Sequence, residues 1–104
     1  MHINNKPYVS IGIPVHNGEK FLRNRLDSIL NQSYTNFELI IFDNNSNDST
    51  QDISYEYIQK DKRIKYFCQK KHVDVIINFY DVLQAAKYDY FVWAAVDDLW
   101  KSTF

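Results

Sequence analysis

Four short apolar runs punctuate the chain, and each ends in polar residues at its C-terminal side. Val9 to Val15 is followed by His16-Asn17-Gly18-Glu19, Phe37 to Phe42 by Asp43-Asn44-Asn45-Ser46, Ile64 to Cys68 by Gln69-Lys70-Lys71-His72, and Tyr90 to Val96 by Asp97-Asp98. Unbroken apolar runs of this length are expected of strands covered on both faces in a parallel sheet. Between them the apolar spacing changes to three and four. Phe21, Leu22, Leu26, Ile29 and Leu30 predict a helix from Glu19 to Gln32. Ile53, Tyr57 and Ile58 predict a second, capped by Asp48 with Gln51 or by Ser49 with Asp52. Val75-Ile76, Phe79-Tyr80, Leu83 and Ala86 predict a third.

The order β-α-β-α-β-α-β predicts an α/β fold, Rossmann-like, with three α/β/α layers around a mostly parallel sheet, because parallel neighbours need long, right-handed crossovers. A strand order 3-2-1-4 would reverse the chain's direction between the first and fourth strands and open a crevice at their C-terminal rim, where ligands bind in such sheets. All four polar clusters fall on that rim. The loops of Asn17, Asp43 and Asp97 are then expected to converge, with the helix after Gly18 offering free backbone N–H groups to an anion.

A chain of 104 residues is one domain or part of one. Its 45% hydrophobic, 16% aromatic and 24% charged residues exclude a disordered chain. A net charge of -1 gives no general field for nucleic acid, so no nucleic-acid partner is expected. The single cysteine, Cys68, excludes an internal disulfide and is expected to be a small buried residue of the third strand in a reducing compartment. No stretch approaches the roughly 20 apolar residues that cross a bilayer, and the first residues lack the apolar segment of a secretory signal. The expected location is cytoplasmic, with a peripheral position at the inner face of the membrane left open.

Asp97 and Asp98 offer hard oxygen donors of the kind that hold Mg²⁺ or Mn²⁺ against substrate phosphates, or else cap a turn. Asp43 is either an Asx-turn residue or an acceptor for a base or ribose. Asn44 to Thr50 forms a polar loop and cap. Lys70-Lys71-His72 either neutralises a diphosphate or is solvated surface, and His16, beside a turn, is either a surface histidine or a donor to phosphate. Arg23 and Arg25 lie off the apolar stripe of the first helix and are expected in solvent. Trp93 and Trp100 either pack or stack on a sugar or base.

Val9-Ser10-Ile11-Gly12-Ile13-Pro14-Val15-His16-Asn17-Gly18-Glu19, Leu26 to Tyr34, and Phe37 to Thr50, in this order and spacing, resemble the N-terminal half of a family 2 glycosyltransferase of the GT-A fold. Asp97-Asp98-Leu99-Trp100 falls where that family carries its metal-binding D-x-D motif. The resemblance covers nearly the whole chain. It implies that Pro14, Val15, Asn17 and Glu19 line a nucleotide pocket, that Asp43 contacts the base, and that Asp97, with Asp98 beside it, holds a divalent metal, Mg²⁺ or Mn²⁺. The implied ligand is a nucleotide-diphosphate sugar, a UDP-sugar first, and the implied reaction is transfer to a saccharide or lipid acceptor.

The chain departs from the family pattern at several positions. Ala95 stands where the first Asp of D-x-D is expected, Asn44-Asn45 replace an Asp-Gly pair, and His72-Val73-Asp74 replaces an Asn-x-Gly segment. Ile77 stands where an Arg often precedes Asn78, which leaves fewer hydrogen-bond donors for a diphosphate. The acceptor site and catalytic base are expected beyond Phe104, so residues 1–104 are read as the donor-binding portion. The alternative is a truncated, non-catalytic nucleotide-binding or assembly module, self-associating through apolar surface around Trp93, Trp100 and Phe104 or through a bare strand edge. A flavodoxin-like phosphotransfer domain fits poorly, since His16-Asn17 supplies no acid at the end of the first strand.

Overall fold

The computed structural model describes residues 6–95. Its elements follow the expected order: β1 (Val9–Val15), α1 (Leu22–Asn31), β2 (Phe37–Asp43), α2 (Thr50–Lys60), β3 (Ile64–Cys68), α3 (Val75–Ala85) and β4 (Tyr90–Trp93). The strands form one parallel sheet in the order β3-β2-β1-β4. Val15 pairs with Asp43 and Asp43 with Cys68, so the polar ends of three strands are level with one another. The Rossmann-like architecture is therefore as expected, and β1 and β4 flank the switch point.

The alternation along each strand divides the core into two faces. Ile11, Ile13 and Val15 of β1 and Phe37, Leu39 and Ile41 of β2 meet Leu22, Leu26 and Ile29 of α1 and Ile53 and Tyr57 of α2 in one buried cluster. On the opposite face α3 approaches so closely that a Cβ on Gly12 would lie 2.4 Å from Val82 Cγ1 and 2.7 Å from Phe91 Cζ. Glycine at position 12 lets this third layer settle on the sheet. Glu38 and Ser10 anchor the opposite ends of the same strands: Ser10 Oγ donates to Glu38 Oε2 at 2.5 Å, Lys87 N donates to the same oxygen at 2.6 Å, and Lys65 Nζ donates to Glu38 Oε1 at 2.8 Å.

Four local expectations need correction. α1 begins at Leu22 rather than Glu19, because Phe21 N and Leu22 N both donate to Gly18 O and close a turn first. α3 forms where its spacing predicts, yet it buries Asn78 and Val82 while Val75, Ile76, Phe79, Tyr80 and Leu83 face outward. Cys68 is exposed, since it lies at the C-terminal end of β3, which among the described residues pairs only with β2. Arg25 is fully buried in α1, its Nε donating to Ala95 O at 2.8 Å, whereas Arg23 stays on the surface as expected. The aliphatic stem of Arg25 fills core space, and its head meets the backbone just past β4.

The N-cap residue of α2 is Ser49, which makes no side-chain cap bond; Asp48, one residue earlier, accepts from Thr50 N and Thr50 Oγ1 on Oδ1, so neither expected capping pair forms as such. Asp74 caps α3 through Ile76 N. No helix among the described residues is long and apolar enough to cross a membrane.

Candidate functional site

The β1–α1 and β2–α2 loops are joined across the rim by reciprocal hydrogen bonds. Asn17 and Asn45 both adopt left-handed backbone, at φ 52° and 55°, a conformation asparagine tolerates better than most residues. That turn lets Asn17 N donate to Ser46 Oγ at 2.7 Å, while Ser46 Oγ donates to Asp43 Oδ1 at 2.6 Å. Asn47 N donates in return to Asn17 Oδ1 at 2.9 Å. One hydroxyl thus couples two of the predicted site residues, Asn17 and Asp43.

Asp43 is fully buried, and its carboxylate accepts three hydrogen bonds: Ser46 N at 2.9 Å and Ser46 Oγ on Oδ1, and Tyr66 OH at 2.7 Å on Oδ2. Burial, with Asp43 alongside, pushes the Tyr66 phenol well above its ordinary range, so it stays a proton donor. Tyr66 gives no signal in the sequence beyond its place in an alternating strand, and reasoning from pattern alone missed it.

Glu19 and Gly18 are likewise engaged. Gly18 N donates to Thr50 Oγ1 at 2.9 Å, Glu19 N donates to Asp48 Oδ2 at 3.2 Å, and Ser49 N donates to Glu19 Oε1 at 2.9 Å. The backbone N–H groups of Gly18 and Glu19, expected to be free for an anion, are therefore satisfied by the neighbouring loop. Burial works to raise the Asp48 carboxyl, but the Thr50 bonds and the Glu19 N–H outweigh it and hold it below the usual carboxylate range.

A third loop closes the rim from the β3 side. Asn44 Nδ2 donates to Val73 O at 2.7 Å and Val73 N donates to Asn44 Oδ1 at 2.8 Å, which pins the segment before α3. Gln69 N donates to Asp43 O, and Asn78 Nδ2 donates to Phe42 O at 3.0 Å. His16 and His72 meet over this junction with ring centroids 4.5 Å apart. Pro14, Val15, His16 and Asn44 border a small depression of about 60 Å³, closed by Val75 and Phe79. Beside it, Phe42, Phe67, Lys70 and Lys71 border an open groove of about 430 Å³.

The structure thus brings Pro14, Val15, Asn17, Glu19 and Asp43 together at one end of β1 and β2. Asp97 and Asp98, like Trp100, lie outside the described residues. Among the described residues no three His, Cys, Asp or Glu side chains gather as a metal site. Trp93 packs, its ring 4.9 Å from Phe79 and 4.6 Å from Phe91.

Proteins of similar sequence and of similar fold are known. The chain is 32% identical over 96 residues to the Bacillus subtilis protein named as the teichuronic acid biosynthesis glycosyltransferase TuaG, an alignment covering 92% of this chain and 38% of that one. Its fold matches that of Staphylococcus aureus TarS 1-349 in complex with UDP, with a TM-score of 0.78, 23% identity, and coverage of 88% of this chain and 28% of that one. It also matches the mannosyltransferase PcManGT from Pyrobaculum calidifontis in complex with GDP-Man and Mn²⁺, with a TM-score of 0.84, 20% identity, and coverage of 91% and 29%. The matched segment spans from 9% to 38% of the length of curated relatives such as these. The family description "Glycosyl transferase family 2" matches residues 10–104, which include every rim loop described above. On that match and the shared parallel-sheet fold, the chain belongs to glycosyl transferase family 2.

Proposed function

We propose that the chain is the donor-binding portion of a glycosyltransferase, holding a nucleoside-diphosphate sugar at the C-terminal rim of β1 and β2. The observation that carries this reading is the Asn17–Ser46–Asp43 junction, which fixes two rim loops against each other beside the switch point. A site held this rigidly loses little entropy when a ligand arrives. Proteins of the same fold are described with UDP, UDP-GlcNAc and GDP-Man, so a uridine or guanosine diphosphate sugar is the ligand class to test first.

In this reading Pro14, Val15, Asn17 and Glu19 shape the nucleotide pocket. Asp43 would act from within the junction by holding the Ser46 loop toward the base, its own carboxylate buried between Ser46 and Tyr66. Asp97 and Asp98 would hold Mg²⁺ or Mn²⁺, whose two positive charges stabilise the diphosphate as it leaves. The full reaction would pass the sugar to a saccharide or lipid acceptor, of the envelope-polysaccharide kind that the TuaG name indicates, at the inner face of the membrane.

Calorimetric titration with UDP and GDP, each with and without Mn²⁺, tests the binding step. Metal-dependent binding of either supports the reading, and no binding of either removes it. Release of the nucleotide from its sugar conjugate then separates an enzyme from a binder.

A second reading, a non-catalytic assembly module, draws on the outward apolar face of α3, where Ile76 is 74% and Tyr80 59% exposed. Light scattering on the isolated chain decides it: dimers or larger species without nucleotide binding favour the module.

A further inference from the structure

His16 and His72 come from different rim loops, yet both aim the same ring nitrogen at one atom. His16 Nδ1 lies 2.8 Å and His72 Nδ1 3.4 Å from the carbonyl oxygen of Asn44, and the two rings meet edge to face at 67°. A carbonyl only accepts, so both Nδ1 atoms carry hydrogen. The tautomer of His16 is fixed a second time. Asn47 N–H occupies Asn17 Oδ1, which leaves Asn17 Nδ2 as the donor toward His16 Nε2 at 3.3 Å. His16 Nε2 is therefore an acceptor, and this ring is neutral.

His72 carries no such constraint. It is exposed, and among the described residues nothing bonds its Nε2. Every charged group around it except two lysines is already committed. On its own loop Asp74 caps Ile76 N, while Lys70 and Lys71 are exposed. On the facing loops Asp43 is held by Ser46 and Tyr66, Asp48 by Thr50, and Glu19 by Ser49, and on α3 Asp81 accepts from Gln69. His72 thus stands against His16 and Asn44, two residues that border the small depression, with its Nε2 edge open. When it is protonated its neutral neighbour does not repel it, and its Nε2–H is the edge left to meet an anion.

We propose that His72 is a diphosphate-binding residue of the sugar-donor site. When the nucleoside-diphosphate sugar arrives, Nε2 takes a proton from solvent and donates a hydrogen bond to a diphosphate oxygen, while the Asn44 carbonyl and neutral His16 hold the ring in place. This rests on the donor-site reading. It also supplies a cation where Ile77 replaces an arginine of the family pattern.

The test is calorimetric titration of the 104-residue chain with a UDP-sugar and a GDP-sugar in Mn²⁺, between about pH 8 and about pH 6, in two buffers of different ionisation heat. A sugar diphosphate has no group that titrates in this range, so any proton taken up belongs to the protein. Affinity should rise as pH falls, by no more than about tenfold per unit, with proton uptake on binding. His72→Asn keeps an N–H near the Nδ1 position and removes Nε2, and it should bind weakly with no pH dependence. His72→Lys should bind tightly at both ends of the range. The same pH dependence in His72→Asn, or wild-type binding without proton uptake, overturns the inference and leaves the donor site standing. Failure of the wild type to bind either sugar nucleotide at any pH overturns the donor site, and His72's role with it. Because His72 is exposed, the variants should unfold at the wild-type temperature, so a change in binding is not a change in fold.

Discussion

The two faces of the sheet carry similar apolar side chains and treat them oppositely. On the α1/α2 face, Leu22, Leu26 and Ile29 are fully buried and Ile53 and Tyr57 nearly so. On the α3 face, Asn78 and Val82 are the helix's buried residues, while Val75 is 61% and Ile76 74% exposed. What separates them is what lies opposite. α1 and α2 meet the sheet and each other, whereas α3 meets the sheet through one narrow strip around Gly12 and Phe42. Stability should therefore reside on the first face. The rim loops of Asn17 and Asp43 grow from the strands and helices of that face, which gives the candidate site a rigid base.

The sharpest break of this comparison is a pair of truncations. Leu26→Ala removes a fully buried side chain and should cost about 2–5 kcal/mol, as core leucines do. Ile76→Ala removes a comparable side chain from the outer face of α3 and should stay within about 0.5 kcal/mol. Urea unfolding of both variants checks it. Equal losses would mean that the α3 face is covered by something in solution.

Next comes the contact that holds α3 at all. Gly12→Ala places a methyl 2.4 Å from Val82 Cγ1, so either Val82 and Phe91 give way or α3 lifts. We expect a loss of about 1–3 kcal/mol, the usual range for overpacking. Amide exchange should accelerate in α3 while α1 and α2 keep their protection. Uniform acceleration would show that the faces unfold as one unit.

This asymmetry also explains how much could be read from sequence. The strands were legible because buried parallel strands are unbroken apolar runs, and crossover length gave their parallel direction, whereas the order 3-2-1-4 entered as a condition that the structure then met. The orientation of α3 was not, because a helix apolar on most sides has no stripe to point with, and a polar residue, Asn78, turned inward to reach Phe42 O. Arg25 looked like solvent-facing charge until topology brought Ala95 O to it from 70 residues away. At the site, the loops and their acids were legible as rim residues. Their partners were not: Ser46 for Asn17 and Tyr66 for Asp43 are separated by 29 and 23 residues.

A smaller effect belongs to Glu38, which ties the loop after α3 to β2 and β3. Burial alone would raise its carboxyl, but the bonds from Lys65, Ser10 and Lys87 N–H prevail and hold it below the ordinary glutamate value. A depressed carboxyl stabilises above its unfolded pKa and loses that contribution as pH falls through the folded one. Glu38→Gln should therefore destabilise near neutrality, by about 1–2 kcal/mol, and converge on wild type in acid below the usual glutamate range. Chemical denaturation across pH checks it, and a gap that widens in acid would contradict it.

The smallest effect is expected where the drawn contact is tidiest. Arg23 donates to both oxygens of Glu56 at 2.6 and 2.8 Å, linking α1 to α2 across the solvent side, and this bond holds the Glu56 carboxyl at about 2. The pair survives to that pH and is lost as acid passes through it. Yet the two side chains are 50% and 39% exposed, so water and salt screen them, and ordering two long side chains offsets the attraction. Arg23→Ala should leave the unfolding midpoint nearly unchanged, and the residual difference should vanish in about 1 M salt. If Arg23→Ala instead rivalled Leu26→Ala, the two helices of the first face would be held by charge across their outer side. The contrast between the faces would then be one of electrostatics rather than of packing.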